Sequence, residues 1–139
     1  MAMTPEEREA FLADLHIGVL SIPDGERGPL SAPIWYDYTP GGALWVIIGT
    51  GSRKAKCLQV AQRVSLVAQQ ESMPYKYVSV EGPVISQTAS APGELLAMAQ
   101  RYFGETQGRA YADASSGDNL TVRIQPERWL TVDYGKMGT

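Results

Sequence analysis

The chain has 139 residues, 44% hydrophobic and 19% charged, with a formal net charge of −3, which excludes a disordered, fibrous or disulfide-dense architecture. An acidic balance with no extended basic stripe argues against a dedicated nucleic-acid binder, and no apolar run reaches membrane-spanning length. The lone Cys57 excludes an intrachain disulfide, and the acidic N-terminus does not resemble a signal peptide; both point to the cytoplasm and to one domain over 1–139, with no room for separate cofactor and substrate domains.

Thr4, Pro5 and Glu7 fit an N-cap, a first-turn proline and a capping glutamate, and Phe11, Leu12 and Leu15 supply an apolar face, so an N-terminal helix is expected within 1–14. Residues 15–22 and 30–38 read as strands joined by the turn-rich stretch 23–29. In the second strand Leu30, Ala32, Ile34, Tyr36 and Tyr38 share one face, while Ser31, Pro33, Trp35 and Asp37 share the other. Pro40-Gly41-Gly42 reverses the chain into an apolar strand over 43–48.

A short helix is expected over 53–61, then strands over 64–68 and 75–85, with Gly82-Pro83 as a bulge or bend in the latter. Leu95, Leu96, Met98, Ala99, Tyr102 and Phe103 recur at helical spacing and predict a helix over 92–103. Residues 104–119 carry little periodic apolar pattern and are expected to be a mobile loop or an irregular helical turn. Strands over 120–124 and 130–134 follow. True βαβ spacing is missing, so the reading is a mainly β fold: a barrel of six or seven antiparallel strands with inserted helices.

The stretch Gly49-Thr50-Gly51-Ser52-Arg53-Lys54-Ala55-Lys56 follows the apolar strand directly. A strand that leaves through two glycines into a helix opened by Ser52 would aim backbone N–H groups, two hydroxyls and three cations at one anion. Between Glu26 and Glu71 the only acid is Asp37, against Arg27, Arg53, Lys54, Lys56 and Arg63, a patch opposed in sign to the whole chain. The segment therefore reads as a phosphate seat; the alternative is a solvated helix start whose cations pair with carboxylates elsewhere in the fold. The order of a nucleotide-triphosphate loop is absent, and Lys54 stands where the third glycine of a dinucleotide fingerprint belongs.

No acid–base machinery is evident. His16 is the only histidine, and Cys57 has no second histidine with which to form a dyad. No catalytic residue and no metal site is assigned, so the hard chemistry of an enzyme built on this chain would fall to an external cofactor. Trp35, Tyr36, Trp45, Tyr75, Tyr77 and Trp129 could line a planar site, although sheet packing explains each aromatic singly.

The Ser-Arg-Lys turn after an apolar strand, then Val64-Ser65-Leu66-Val67, then Val78-Ser79-Val80-Glu81-Gly82-Pro83-Val84, in that order, resembles the flavin and deazaflavin oxidoreductase superfamily with a pyridoxamine 5'-phosphate oxidase-like split barrel. The resemblance covers residues 6–134. It implies a homodimer with cofactor sites at the interface. Within it, Ser52, Arg53, Lys54 and Lys56 match the phosphate-binding segment, and Ile47, Ile48, Gly49 and Thr50 match the strand end along the ring system. Ser31, Ala32 and Pro33 match the neighbouring strand, which in oxidase members begins with a phosphate-binding arginine where this chain has Ser31. The C-terminal basic segment that binds substrate phosphate in those oxidases is also missing, since only Lys136 is cationic after Arg128.

The short chain and Pro33-Ile34-Trp35-Tyr36 resemble the small F420-dependent branch. That branch implies hydride transfer between reduced deazaflavin and a small conjugated organic substrate, with Lys54, Lys56, Arg53 and Arg63 facing the anionic tail. The alternatives are an FMN-dependent oxidase or reductase and a non-catalytic cofactor-binding protein.

Overall fold

The computed structural model describes residues 1–137. Helix α1 (Pro5–Ala13) begins with the expected capping box: Thr4 N–H donates to Glu7 Oε1 at 2.8 Å and Glu7 N–H to Thr4 Oγ1 at 3.2 Å. Phe11 and Leu12 are buried, but the helix stops at Ala13, so Leu15, placed by its spacing on the apolar face, lies beyond the last turn and is exposed. Strand β1 (Gly18–Asp24) starts after His16 rather than containing it.

The expected strand over 30–38 is two strands, β2 (Arg27–Ile34) and β3 (Tyr36–Tyr38), broken at Trp35. Strand β2 pairs with β1, ending at Gly18 opposite Ile34; β3 pairs with β4 (Leu44–Gly49), starting at Tyr36 opposite Val46. That break is why eight strands stand where the sequence predicts at most seven.

Helix α2 (Arg53–Leu58) is shorter than expected. Strand β5 (Arg63–Gln70) lies between β1 and β6 (Lys76–Ala89). Strand β6 spans 14 residues and also changes partners. Its first half lies between β5 and β8 (Arg128–Asp133), and from Val84 on, across a register shift between Val84 and Ser86, it pairs with β7 (Asn119–Ile124). All pairings are antiparallel, and together they curl the sheet into the expected split barrel, in the order β2-β1-β5-β6-β7-β4-β3 with β8 on β6. One half is β2-β1-β5-β6-β8 and the other is β6-β7-β4-β3.

The register shift falls just past Gly82-Pro83, the expected bulge or bend; at Gly82 itself the β7–β8 connection crosses so closely that a Cβ would stand 1.7 Å from Gln125 O. The interior holds Leu20, Tyr36, Leu44, Leu66, Val78 and Val122, with Leu12 from α1 and Leu58 from α2 packed against them. Each fully enclosed aliphatic side chain contributes roughly 1.5–3 kcal/mol.

Helix α3 (Pro92–Phe103) follows its periodicity, burying Met98 and Ala99. The stretch 104–119, expected as a mobile loop or irregular turn, instead holds the ten-residue helix α4 (Glu105–Ala114). Its buried contact is Gly108, packed so near α3 that a Cβ would lie 2.5 Å from Gln100 Cα. The residues before α1 meet β8: Asp133 N–H donates to Met1 O at 2.7 Å and Met3 N–H to Thr131 Oγ1 at 3.0 Å. Lys136 Nζ donates to Glu7 at 2.6 Å and holds that carboxyl's pKa down to about 2. Among the described residues no helix is long and apolar enough to cross a membrane.

Candidate functional site

The break at Trp35 makes an opening. Beyond Val46, residues Ile47, Ile48 and Gly49 of β4 still pair with β7, at Thr121, Leu120 and Asn119, but have no partner on the β3 side, because the chain that would pair there has turned to β1. The split therefore lies between Ser31–Ile34 of β2 and Ile47–Gly49 of β4.

Two side chains of α3 pin the break. Tyr102 accepts the otherwise unpaired Tyr36 N–H at 3.0 Å and donates its hydroxyl proton to His16 O at 2.6 Å. Burial raises its pKa, which keeps the donating proton in place. Arg101 donates to Tyr36 O at 3.0 Å, to Ala13 O at 3.1 Å and to Asp14 O at 3.0 Å, and lies 3.4 Å from the Asp37 carboxylate. Neither residue carries a sequence signal for this role: Tyr102 reads as part of an apolar helix face, and Arg101 lies off that face.

At the end of β4 the hydroxyls turn inward. Thr50 donates its N–H and its hydroxyl to Asp118 O at 3.1 and 3.3 Å. Ser52 donates its hydroxyl to Gly49 O at 2.7 Å and accepts Ala55 N–H at 3.2 Å as the N-cap of α2. Both hydroxyls thus shape the turn. Gly49 and Gly51 lack positive φ, and an added Cβ at Gly51 would meet nothing within 4 Å, so their smallness leaves bare backbone open to close approach.

The cations divide. Arg53 Nη2 lies 2.6 Å from Asp24 Oδ2, and its guanidinium lowers the Asp24 pKa. Arg63 is bound by Glu81 and, at 2.8 Å, by Glu127. Lys54, half-buried, and Lys56, exposed, have no ion pair among the described residues. Two of the five cations of the patch are thus neutralised, as the solvated alternative required; Arg27 also has no ion pair among the described residues, and of the three cations of the turn Lys54 and Lys56 remain for an external anion. Lys56 joins Arg53, Arg63, Asp24 and Cys57 around an open depression of about 560 Å³.

Of the other site residues, Ile47 and Pro33 face outward, whereas Ile48 is only 4% exposed and packs in the core, so only its backbone borders the opening. Ser31 Oγ lies 2.8 Å from Ser21 Oγ in a hydrogen bond across β1 and β2.

Residues 4–133 match the family described as pyridoxamine 5'-phosphate oxidase. The chain belongs to that family. Its fold is that of the split-barrel flavin and deazaflavin oxidoreductases, as solved structures bear out. The conserved hypothetical protein Rv2991 of Mycobacterium tuberculosis superposes with a TM-score of 0.79 at 23% identity, over 100% of this chain and 90% of its own. A structure described as F420 reductase gives 0.72 at 19% identity, over 88% of this chain and 94% of its own. A FAD-binding protein from Mesorhizobium loti gives 0.68 at 19% identity, over 94% and 93%. No curated protein matches the sequence significantly.

Within the family fold, several candidate aromatics are tied up in packing. Trp129 lies beneath Arg8, 4.6 Å from guanidinium carbon to ring centroid, and 6.3 Å from Tyr38, on its own barrel. Trp35 stacks on Tyr102 at 5.0 Å and 9°. His16 stacks on Phe11 at 4.3 Å with a buried, unpartnered Nε2, and burial lowers its pKa. No cluster of His, Cys, Asp and Glu among the described residues could hold a metal ion.

Proposed function

We infer that the chain is an oxidoreductase that binds FMN, with the phosphate at Lys54 and Lys56 and the ring along the opening between Pro33 and Ile47. The observation that carries the reading is the pair of unengaged lysines beside a turn with bare glycine backbone, at the end of a strand whose outer edge is unpaired. The sequence-based preference for F420 counted Arg53 and Arg63 toward an anionic tail. Their engagement by Asp24, Glu81 and Glu127 reduces the field to what one phosphate monoester needs. The deazaflavin reading remains second, favoured by the likeness to the F420 reductase structure.

When bound, the flavin supplies the two-electron chemistry. The chain's own residues hold the phosphate, present an apolar edge to the ring and exclude water. A second copy would complete the site. An outward row of cross-strand neighbours, Pro33, Val19, Val67, Ser79 and Leu130, is apolar but for one serine, with Val19 39% and Leu130 61% exposed.

Parallel titration of the protein with FMN and F420 at fixed ionic strength tests the reading. FMN is expected to bind more tightly, to a dimer by sedimentation. Lys54→Ala with Lys56→Ala is expected to weaken binding at least tenfold, about 1.4 kcal/mol, with little change in stability. Preference for F420 moves the second reading to first, and undiminished binding by the double variant removes the phosphate seat.

A further inference from the structure

A second cavity, of about 210 Å³, lies between the α3–α4 pair and the outer face of β4. Its apolar walls include Trp35, Ile47, Leu95 and Tyr111. Its polar corner is Ser115, Ser116 and Asn119, and no carboxylate, ammonium or guanidinium lines it. Ser115 donates its hydroxyl to Tyr111 O at 2.7 Å, which leaves the Ser116 hydroxyl and the Asn119 amide as donors toward a ligand. An adjoining depression of about 590 Å³ shares Leu95 and Asn119 with it and has Thr50 in its wall, which gives a way in from the basic turn.

We propose that this cavity is the electron-acceptor subsite and takes an uncharged, planar, single-ring conjugated carbonyl compound of the benzoquinone type. The assignment rests on the flavin or deazaflavin reading above, because Ile47 belongs both to the strand end given to the ring and to the wall of this cavity. Size sets the first limit: a cavity of about 150 Å³ holds benzene and sites for larger ligands run to roughly 300–1,000 Å³, so about 210 Å³ suits a single ring. Charge sets the second. A phosphorylated or carboxylated substrate would lose hydration and gain no cation, whereas a ring carbonyl gains the two donors at one end and aromatic contact from Trp35 and Tyr111. Ser116 and Asn119 would hold the carbonyl oxygen of a benzoquinone there, and its reduction to the hydroquinone would need the two electrons and one proton of a hydride, which a reduced cofactor would supply, and a second proton from water.

Calorimetric titration of the protein with hydroquinone, a redox-silent ligand in the absence of cofactor, tests the cavity itself. Saturable binding is expected, at least tenfold weaker for the anion 4-hydroxybenzoate and at least tenfold weaker in Leu95→Trp, which fills the cavity from a half-buried position. Tyr111→Ala, at an exposed ring, is expected to admit naphthohydroquinone. Absence of saturable hydroquinone binding, or equal affinity in folded Leu95→Trp, overturns the subsite. In the cofactor-loaded protein, Leu95→Trp is expected to raise KM for 1,4-benzoquinone at least tenfold while cofactor affinity stays unchanged. An unchanged KM overturns the acceptor role alone, whereas failure of either cofactor to bind overturns the functional reading and the acceptor role with it.

Discussion

The barrel changes strand partners twice, and the two places are built differently. In β6 the change is enforced by backbone: the β7–β8 connection lies against Gly82, with Gln125 N–H donating to Pro83 O and Glu127 N–H to Glu81 O, both at 3.0 Å. At Trp35 the change is held by side chains from a distant helix, Arg101 and Tyr102, 65 and 66 residues along the chain from the Tyr36 backbone they bind. A bend that only glycine permits is a fixed corner. A bend held by hydrogen bonds from inserted helices stands beside an opening, and its geometry can be retuned by changing α3 without touching the sheet.

Gly82→Ala separates these cases most sharply. The methyl group must displace backbone, so destabilisation of about 3 kcal/mol or more is expected, read by denaturant unfolding. Tyr102→Phe should cost less, about 1–3 kcal/mol, because it strands the Tyr36 N–H and the His16 carbonyl without crowding anything. It should also weaken FMN binding severalfold by loosening the edge of the opening, whereas a loss of stability with unchanged affinity would show that the break does not shape the site.

The smallest effect is that of pH. Burial holds the His16 pKa below its ordinary 6.5, against the opposing charge of Asp14. Between the folded value and 6.5 the unfolded chain binds a proton that the folded chain does not, so this contribution is complete above that window and lost as pH falls through it. The protection factor of the Tyr36 amide, corrected for the intrinsic exchange rate at each pH, should therefore fall below about pH 6.5 more than that of Gln125, which belongs to the fixed corner.

The sequence made the strands, their faces and the barrel legible, yet hid the break, for a physical reason. Leu30, Ala32 and Ile34 face the same way as Tyr36 and Tyr38, so the alternation runs unbroken through Trp35 while the hydrogen-bonding partner changes. Helix α4 was hidden because a glycine makes its buried contact, and glycine adds nothing to an apolar periodicity. The basic turn was legible as a cluster of cations. Their division into engaged and free was not, since Asp24, Glu81 and Glu127 reach Arg53 and Arg63 from 29, 18 and 64 residues away.

The contact between residues 1–7 and residues 131–136 bears on synthesis. Met1 and Met3 find partners only on β8 and the residue that ends it, and Lys136 reaches back to Ala2 and Glu7. A nascent chain still held at Glu127 would carry an unclosed sheet with one edge of β6 bare from Lys76 to Glu81, the kind of exposed edge on which neighbouring chains assemble wrongly. Closure of the β6 edge therefore waits until β8 itself has been made.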